Sequence, residues 1–160
     1  MHGKEVKVFQ VKIAAVGKLK ESYLREGIQE YTKRLGAYVH VEISEVTDEP
    51  CPERLSLAEE AKVKIKEGER LLKLVAPQDY VVLLDREGVE MDTRETAQWL
   101  AGLLQTGKKS LVFVIGGSLG VSEAVKARAD FCWSFSGLTF PHQLMRLALL
   151  EQIYRVLKML

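Results

Sequence analysis

Apolar and polar positions alternate along residues 9–16, with Val11, Ile13 and Ala15 on one face and Gly17 ending the run; this predicts a strand. The spacing then changes. Leu24, Ile28, Tyr31 and Leu35 recur at helical intervals across residues 20–35, and Gly36 stops them. Residues 39–46 return to period two as a second strand, and Asp48-Glu49-Pro50-Cys51-Pro52 breaks the pattern as a loop. A charged helix is expected from about Ser56 to Val75, closed by Pro77.

The second half has a different texture. Tyr80-Val81-Val82-Leu83-Leu84 and Ser110-Leu111-Val112-Phe113-Val114-Ile115 are continuous apolar runs, as parallel strands covered on both faces require. Between them Asp92 or Thr93 caps a helix with Ala97, Leu100, Ala101 and Leu104 inward. Ser122 caps a shorter helix, with Glu123 in its first turn favourable to the helix dipole. Residues 131–135 read as a further strand. A last helix, residues 142–158, carries Leu144, Leu147, Ala148, Glu151, Tyr154 and Arg155. Strands alternating with helices predict an α/β domain with a largely parallel sheet.

Composition narrows the field. The 160 residues suit one domain at roughly 100–200 residues each. A content of 47 % hydrophobic and 28 % charged residues is ordinary for a folded chain and excludes disorder. No apolar run approaches the roughly 18 residues of a membrane span. The start lacks the apolar core of a secretory signal, so a cytoplasmic protein is expected. Cys51 and Cys132 show no metal or redox spacing and read as reduced thiols. Three scattered histidines, at 2, 40 and 142, do not supply the roughly four ligands of a zinc site, so no metal is expected. The net charge is +1, yet residues 1–20 hold five lysines against Glu5. That arm reads first as a solvated strand, although a local basic patch can contact phosphate when net charge is near zero.

Three loops follow the apolar strands, where an open α/β sheet binds its ligand. Gly116-Gly117-Ser118-Leu119-Gly120 permits close backbone approach. It matches neither the dinucleotide fingerprint nor the phosphate loop, and by itself it is equally a tight turn. Gly117→Val is expected to abolish ligand binding with the fold retained. Phe135-Ser136-Gly137-Leu138-Thr139-Phe140-Pro141-His142 mixes hydroxyls and backbone donors with apolar surface, which suits an aromatic ring with polar edges. Pro141 fits a first helical turn, and His142 then sits at the helix mouth. Asp85 in Asp85-Arg86-Glu87-Gly88 is either a ligand acceptor or a turn-maker. Arg146, Glu151 and Arg155 are charged residues in an apolar helix. Glu151 and Arg155 are spaced to pair, so either a salt bridge or an arginine facing RNA is open there.

In combination these segments are more specific. Ala14-Ala15-Val16-Gly17-Lys18-Leu19-Lys20, LLDREG at 83–88, VIGGSLG at 114–120, SFSGLTFPHQLMR at 134–146 and LLEQIYR at 149–155 closely resemble, in order and spacing, the bacterial RlmH family. The likeness covers the chain from about Val11, leaving residues 1–10 as an extension and 11–160 as the domain. These are SPOUT-superfamily methyltransferases that use S-adenosyl-L-methionine to methylate ring nitrogen 3 of a pseudouridine in large-subunit ribosomal RNA. The resemblance implies a single-domain SPOUT-type fold with a C-terminal deep trefoil knot, which chain-threading rules alone disfavour. It also implies a homodimer acting on the assembled ribosome. Leu84, Gly116, Gly117, Phe135, Ser136, Gly137, Leu138, Thr139 and Phe140 fall on the family's cofactor positions, and His142 on a histidine of its active site.

Methylation of an imide nitrogen needs a base, or a cation that stabilises the imidate; His142 and Arg155 are the two candidates. Family members continue past the last helix into a tail bearing a Tyr-His pair, whereas this sequence reads Lys158-Met159-Leu160 at that point. A cofactor- or ribosome-binding relative impaired in catalysis is therefore one alternative, and a SPOUT methyltransferase of transfer RNA is another.

Overall fold

The computed structural model describes residues 9–50 and 53–160. Cys51 and the basic start of the chain up to Val8 lie outside the described residues. Among the described residues five strands and five helices alternate: β1 Gln10–Val16, α1 Ser22–Leu35, β2 His40–Val46, α2 Leu57–Leu72, β3 Tyr80–Glu90, α3 Thr93–Gln105, β4 Ser110–Ile115, α4 Glu123–Arg128, β5 Phe131–Ser134 and α5 His142–Met159. All pair in parallel in the order β2-β1-β4-β3-β5. Helices α1, α3 and α5 cover one face of the sheet, joined to Val11, Ile13, Ala15, Leu111 and Phe113 in the larger core. Helices α2 and α4 cover the other, through Leu71 and Val125 against Ala14, Val16, Val81, Val112 and Val114. The continuous apolar texture of β4 follows from this, since every residue from Leu111 to Ile115 is buried. Phe9 is also buried, and its carbonyl accepts from the His40 N–H (3.0 Å), so ordered packing begins ahead of β1.

Helix boundaries follow local chemistry. Ser56 and Asp92 each close a reciprocal capping box, with Glu59 and Glu95 respectively, so α2 and α3 start where side chains satisfy the orphan amides. Ser122 caps α4 by accepting from Val125 N–H. Tertiary packing moves the inward stripe of α3 by one position: Thr96, Ala97, Leu100 and Leu103 are buried, while Leu104 is only half-buried. The sheet-facing side of α5 is Arg146, Leu149, Leu150, Ile153, Val156 and Leu157.

Residues 85–88, expected as a loop beyond β3, instead belong to a longer strand. Leu84 and Val89 both register opposite Trp133 on β5, so the four residues between them bulge out of the ladder. Gly88 is required where the bulge returns, because a Cβ there would lie 2.7 Å from the Cys132 backbone.

Two other glycines separate packing from propensity. Gly102 lies on the exposed side of α3, and a Cβ there would meet nothing within 4 Å. Gly102→Ala is expected to stabilise the protein by about 0.5–1 kcal/mol through helix propensity alone. Gly68 on α2 is buried, and its Cβ would lie 2.5 Å from Ser122 Oγ, the cap of α4. Gly68→Ala should therefore cost about 1–3 kcal/mol despite the better propensity. Thermal unfolding of the two variants should shift in opposite directions.

Candidate active site

The carboxyl ends of β4, β3 and β5 open into a cleft of about 740 Å³. This is within the usual range of roughly 300–1,000 Å³ for small-molecule sites. The site lies there because all five strands run parallel, so the three loops that leave these ends face one another.

The glycine loop forms the first wall. Gly120, with φ +92°, closes it by donating its N–H to Gly117 O at 3.1 Å. Its glycines serve the packing of the loop itself. A Cβ on Gly116 would lie 2.6 Å from Val121 Cγ1, and one on Gly117 would lie 2.8 Å from Glu67 Oε1 and 3.3 Å from Val16 Cγ1. Gly117 therefore turns the face where a side chain would sit toward the protein and away from the ligand side. To the expectation that Gly117→Val retains the fold, that contact adds a cost in stability.

The β3 bulge supplies the second wall. Asp85 is the turn-maker of the two readings: Oδ1 accepts from Glu87 N–H at 3.1 Å, while the residue also lines the cleft. Arg86 reaches across and donates from Nη1 to Thr139 Oγ1 at 3.0 Å, tying this wall to the third.

The third wall is the 135–141 segment. Ser134 Oγ donates to Ser136 O (3.1 Å), and Ser136 Oγ accepts from Leu138 N–H (3.0 Å), so hydroxyls shape the loop from within. Phe135 packs at a tilt against Trp133, with ring centroids 4.6 Å apart and planes 59° from parallel, and both rings line the cleft. Leu138 is 68 % exposed and Phe140 42 %, both at the lip. Pro141 sits one residue earlier than expected: with ψ 133° it is the extended N-cap, and His142 is the first helical residue. Of the nine positions with an expected cofactor role, all but Gly137 line the cleft, and His142 lines it too. A Cβ on Gly137 would meet nothing within 4 Å.

His142 is half-buried above Gly17. Burial pushes its pKa below the ordinary 6.5; the Arg146 charge adds to this and Asp48 opposes it. The imidazole is therefore neutral at pH 7 and able to accept a proton.

Arg155 is placed elsewhere. Its guanidinium is exposed and bound to Glu151 at 2.6 Å, and it is not among the residues lining the cleft. The spacing of these two residues reads correctly as an ion pair.

Arg146, one turn after His142, is 1 % exposed. Its Nη2 donates to the carbonyls of Val16 (3.1 Å) and Gly17 (2.7 Å), and its Nη1 pairs with Glu45. Glu45 also accepts from Leu19 N–H at 2.9 Å. The start of α5 is thus locked to the ends of β1 and β2. An arginine among leucines was a visible signal for this. Two residues gave none: Lys64, which lines the cleft, and Glu67, which packs behind it, both belong to a helix whose charge run reads as solvated. Burial pushes the Glu67 carboxyl above the ordinary carboxylate range, against the pull of the Glu49 N–H.

Among the described residues no group of three or more His, Cys, Asp or Glu is placed to hold a metal ion, and no helix is long and apolar enough to cross a membrane. Cys132 is a free thiol.

An α/β/α domain with its ligand cleft at the carboxyl ends of parallel strands, walled by a glycine loop, is the class that fold and site define. A family model described as "Predicted SPOUT methyltransferase" matches residues 9–160, and the chain belongs to that family. It is a methyltransferase of the α/β type, and the family implies a methyl donor. The chain is similar to the "Ribosomal RNA large subunit methyltransferase H" of Desulfitobacterium hafniense, with 57 % identity over 151 residues covering 94 % of each. The protein of the same name from Carboxydothermus hydrogenoformans is 50 % identical over 151 residues, 94 % of this chain and 95 % of that one. That from Bacillus pumilus is 50 % identical over 148 residues, 92 % and 93 % respectively.

Proposed function

We propose that the protein transfers a methyl group from S-adenosyl-L-methionine to ring nitrogen 3 of a pseudouridine in large-subunit ribosomal RNA, on the assembled ribosome. The observation that carries this reading is the convergence of Leu84, Gly116, Gly117, five residues of the 135–140 loop and His142, from three separate loops, on one cleft. The names of the relatives favour ribosomal over transfer RNA. The cleft fits the cofactor: aromatic and aliphatic surface suits an adenine ring, and loop amides and hydroxyls suit its polar edges. When bound, the cofactor supplies an electrophilic methyl group on a positively charged sulfur.

The chain's own residues do the rest. The three walls hold donor and acceptor in line, and such alignment is worth several kcal/mol. His142, neutral and at the cleft, takes the imide proton, which is mostly in place at neutral pH. Arg155 would stabilise the imidate only from a second subunit, across a homodimer, since it lies outside the cleft of its own. The exposed apolar side chains Leu138 and Phe140 at the lip and Leu144 in the first turn of α5 support such a dimer. The trefoil knot belongs to the same reading. It is supported by the placement of α5, which follows the edge strand β5, shares the cleft with the glycine loop through His142 and Met145, and packs on α1. A cytoplasmic location follows from a ribosomal substrate.

Calorimetric titration with S-adenosylmethionine should show binding, and labelled donor should then methylate ribosomes that lack the modification. Binding without incorporation would leave a cofactor-binding relative, and no binding would end the reading. The lowered His142 pKa gives a second check. The unfolded chain takes up the imidazole proton first, so the stability His142 contributes is complete above about pH 6.5 and is lost as pH falls through the folded-state value. Wild-type unfolding free energy should therefore drop more between about pH 7 and pH 5 than that of His142→Gln.

A further inference from the structure

Glu67 projects from α2 behind the glycine loop and is 5 % exposed. Its Oε2 accepts from Glu49 N–H at 3.0 Å. Its Oε1 has no hydrogen-bond partner among the described residues and lies 2.8 Å from where a Cβ on Gly117 would be. The Arg70 charge reaches this carboxyl, but its guanidinium donates to Thr47 O at 2.7 Å and pairs with Glu49. Asp48 and Glu49 add negative charge beside the same carboxyl. Buried carboxylate oxygens are nearly always hydrogen-bonded, since the unpaired state costs several kcal/mol or more. This one lies behind the cleft wall at Gly117, a residue that has no side chain to separate the two.

We propose that the Glu67 carboxylate acts through Gly117 as a fixed negative charge that favours a positively charged ligand in the cleft. The proposal rests on the reading of the cleft as the S-adenosylmethionine site, because that cofactor carries two positive groups, a sulfonium and an ammonium. Methyl transfer breaks the sulfur–methyl bond and makes a nitrogen–methyl bond. The bonding pair returns to sulfur, which becomes neutral, and the imide proton leaves to the base. If the sulfonium is the group that is felt, Glu67 holds the donor more tightly than the spent product and thereby helps release it.

The test is calorimetry at about pH 7, above the ordinary carboxylate range and below the range in which an α-amino group loses its proton, on wild type and Glu67→Gln. Glutamine keeps the size of the side chain and an acceptor for Glu49 N–H while removing the charge. Three probes are titrated: S-adenosylmethionine, S-adenosylhomocysteine, which keeps the ammonium and carboxylate but lacks the sulfonium, and 5′-methylthioadenosine, which has none of these charges. Glu67→Gln should lose about tenfold in affinity for S-adenosylmethionine relative to 5′-methylthioadenosine, the size expected of unit charges about 10 Å apart at an effective dielectric near 20. A loss confined to S-adenosylmethionine identifies the sulfonium, and one shared with S-adenosylhomocysteine identifies the ammonium. Unchanged affinities, or an equal change for all three probes, overturn the proposal. Glu67→Met, similar in length and uncharged, gives the same comparison if the glutamine variant does not fold. Wild-type protein that binds none of the probes overturns the cofactor reading itself, a separate outcome from wild-type binding with an unchanged ratio.

Discussion

Arg146→Leu should lower the unfolding free energy by about 3 kcal/mol, one of the largest single-residue effects in the molecule. The leucine leaves the Gly17 and Val16 carbonyls without their donor and the Glu45 carboxylate without its cation. Part of the Glu45 cost is relieved by water, since its side chain is 35 % exposed, and by the Leu19 N–H that remains. For a chain of this size the midpoint of thermal unfolding should fall by roughly 6–12 °C. Arg146→Lys should not restore it, because an ammonium cannot span two carbonyls and a carboxylate as the planar guanidinium does. His142, one turn earlier on the same helix, loses its anchor, so donor binding should weaken along with stability. A variant that unfolds within about 2 °C of wild type would show that the lock contributes little.

Gly117→Val should abolish donor binding and also cost about 1–3 kcal/mol of stability. A Cβ at this position already lies 2.8 Å from the Glu67 carboxylate and 3.3 Å from Val16. The two valine methyls therefore force the loop outward into the cleft. Ligand affinity is lost because the wall moves, whereas the simple sequence argument had the side chain meet the ligand. Gly137→Ala is the control: its Cβ meets nothing, so stability should be unchanged. Calorimetry with S-adenosylmethionine and thermal unfolding on the same samples separate the two effects. Full stability in Gly117→Val would contradict the Glu67 contact.

Much of this architecture was legible in advance. The continuous apolar run of β4 and the capping residues Ser56, Asp92 and Ser122 carry their reasons within a few residues of themselves. The same holds for the pairing of Glu151 with Arg155 across one helical turn. The β3 bulge was not legible, because Leu84 and Val89 share a partner on β5 that lies more than forty residues away. Glu67 was hidden for a related reason. In Lys66-Glu67-Gly68-Glu69-Arg70 its neighbours along the chain are charged, and only the arrival of the glycine loop removes it from water.

Periodicity, caps and the order of the strand-end loops determined the parallel α/β class, the edge of the sheet that holds the cleft, and most of the residues lining it. These are short-range properties, set by spacing and by the fact that parallel strands deliver their loops to one side. The direction each residue of the site faces was decided by the tertiary structure: the open Cβ position of Gly117 toward Glu67, Arg86 toward Thr139, Arg146 into the ends of β1 and β2, and Arg155 away from the cleft. Those directions depend on contacts between residues separated by up to 130 positions, as between Val16 and Arg146, and no local pattern encodes a partner that distant.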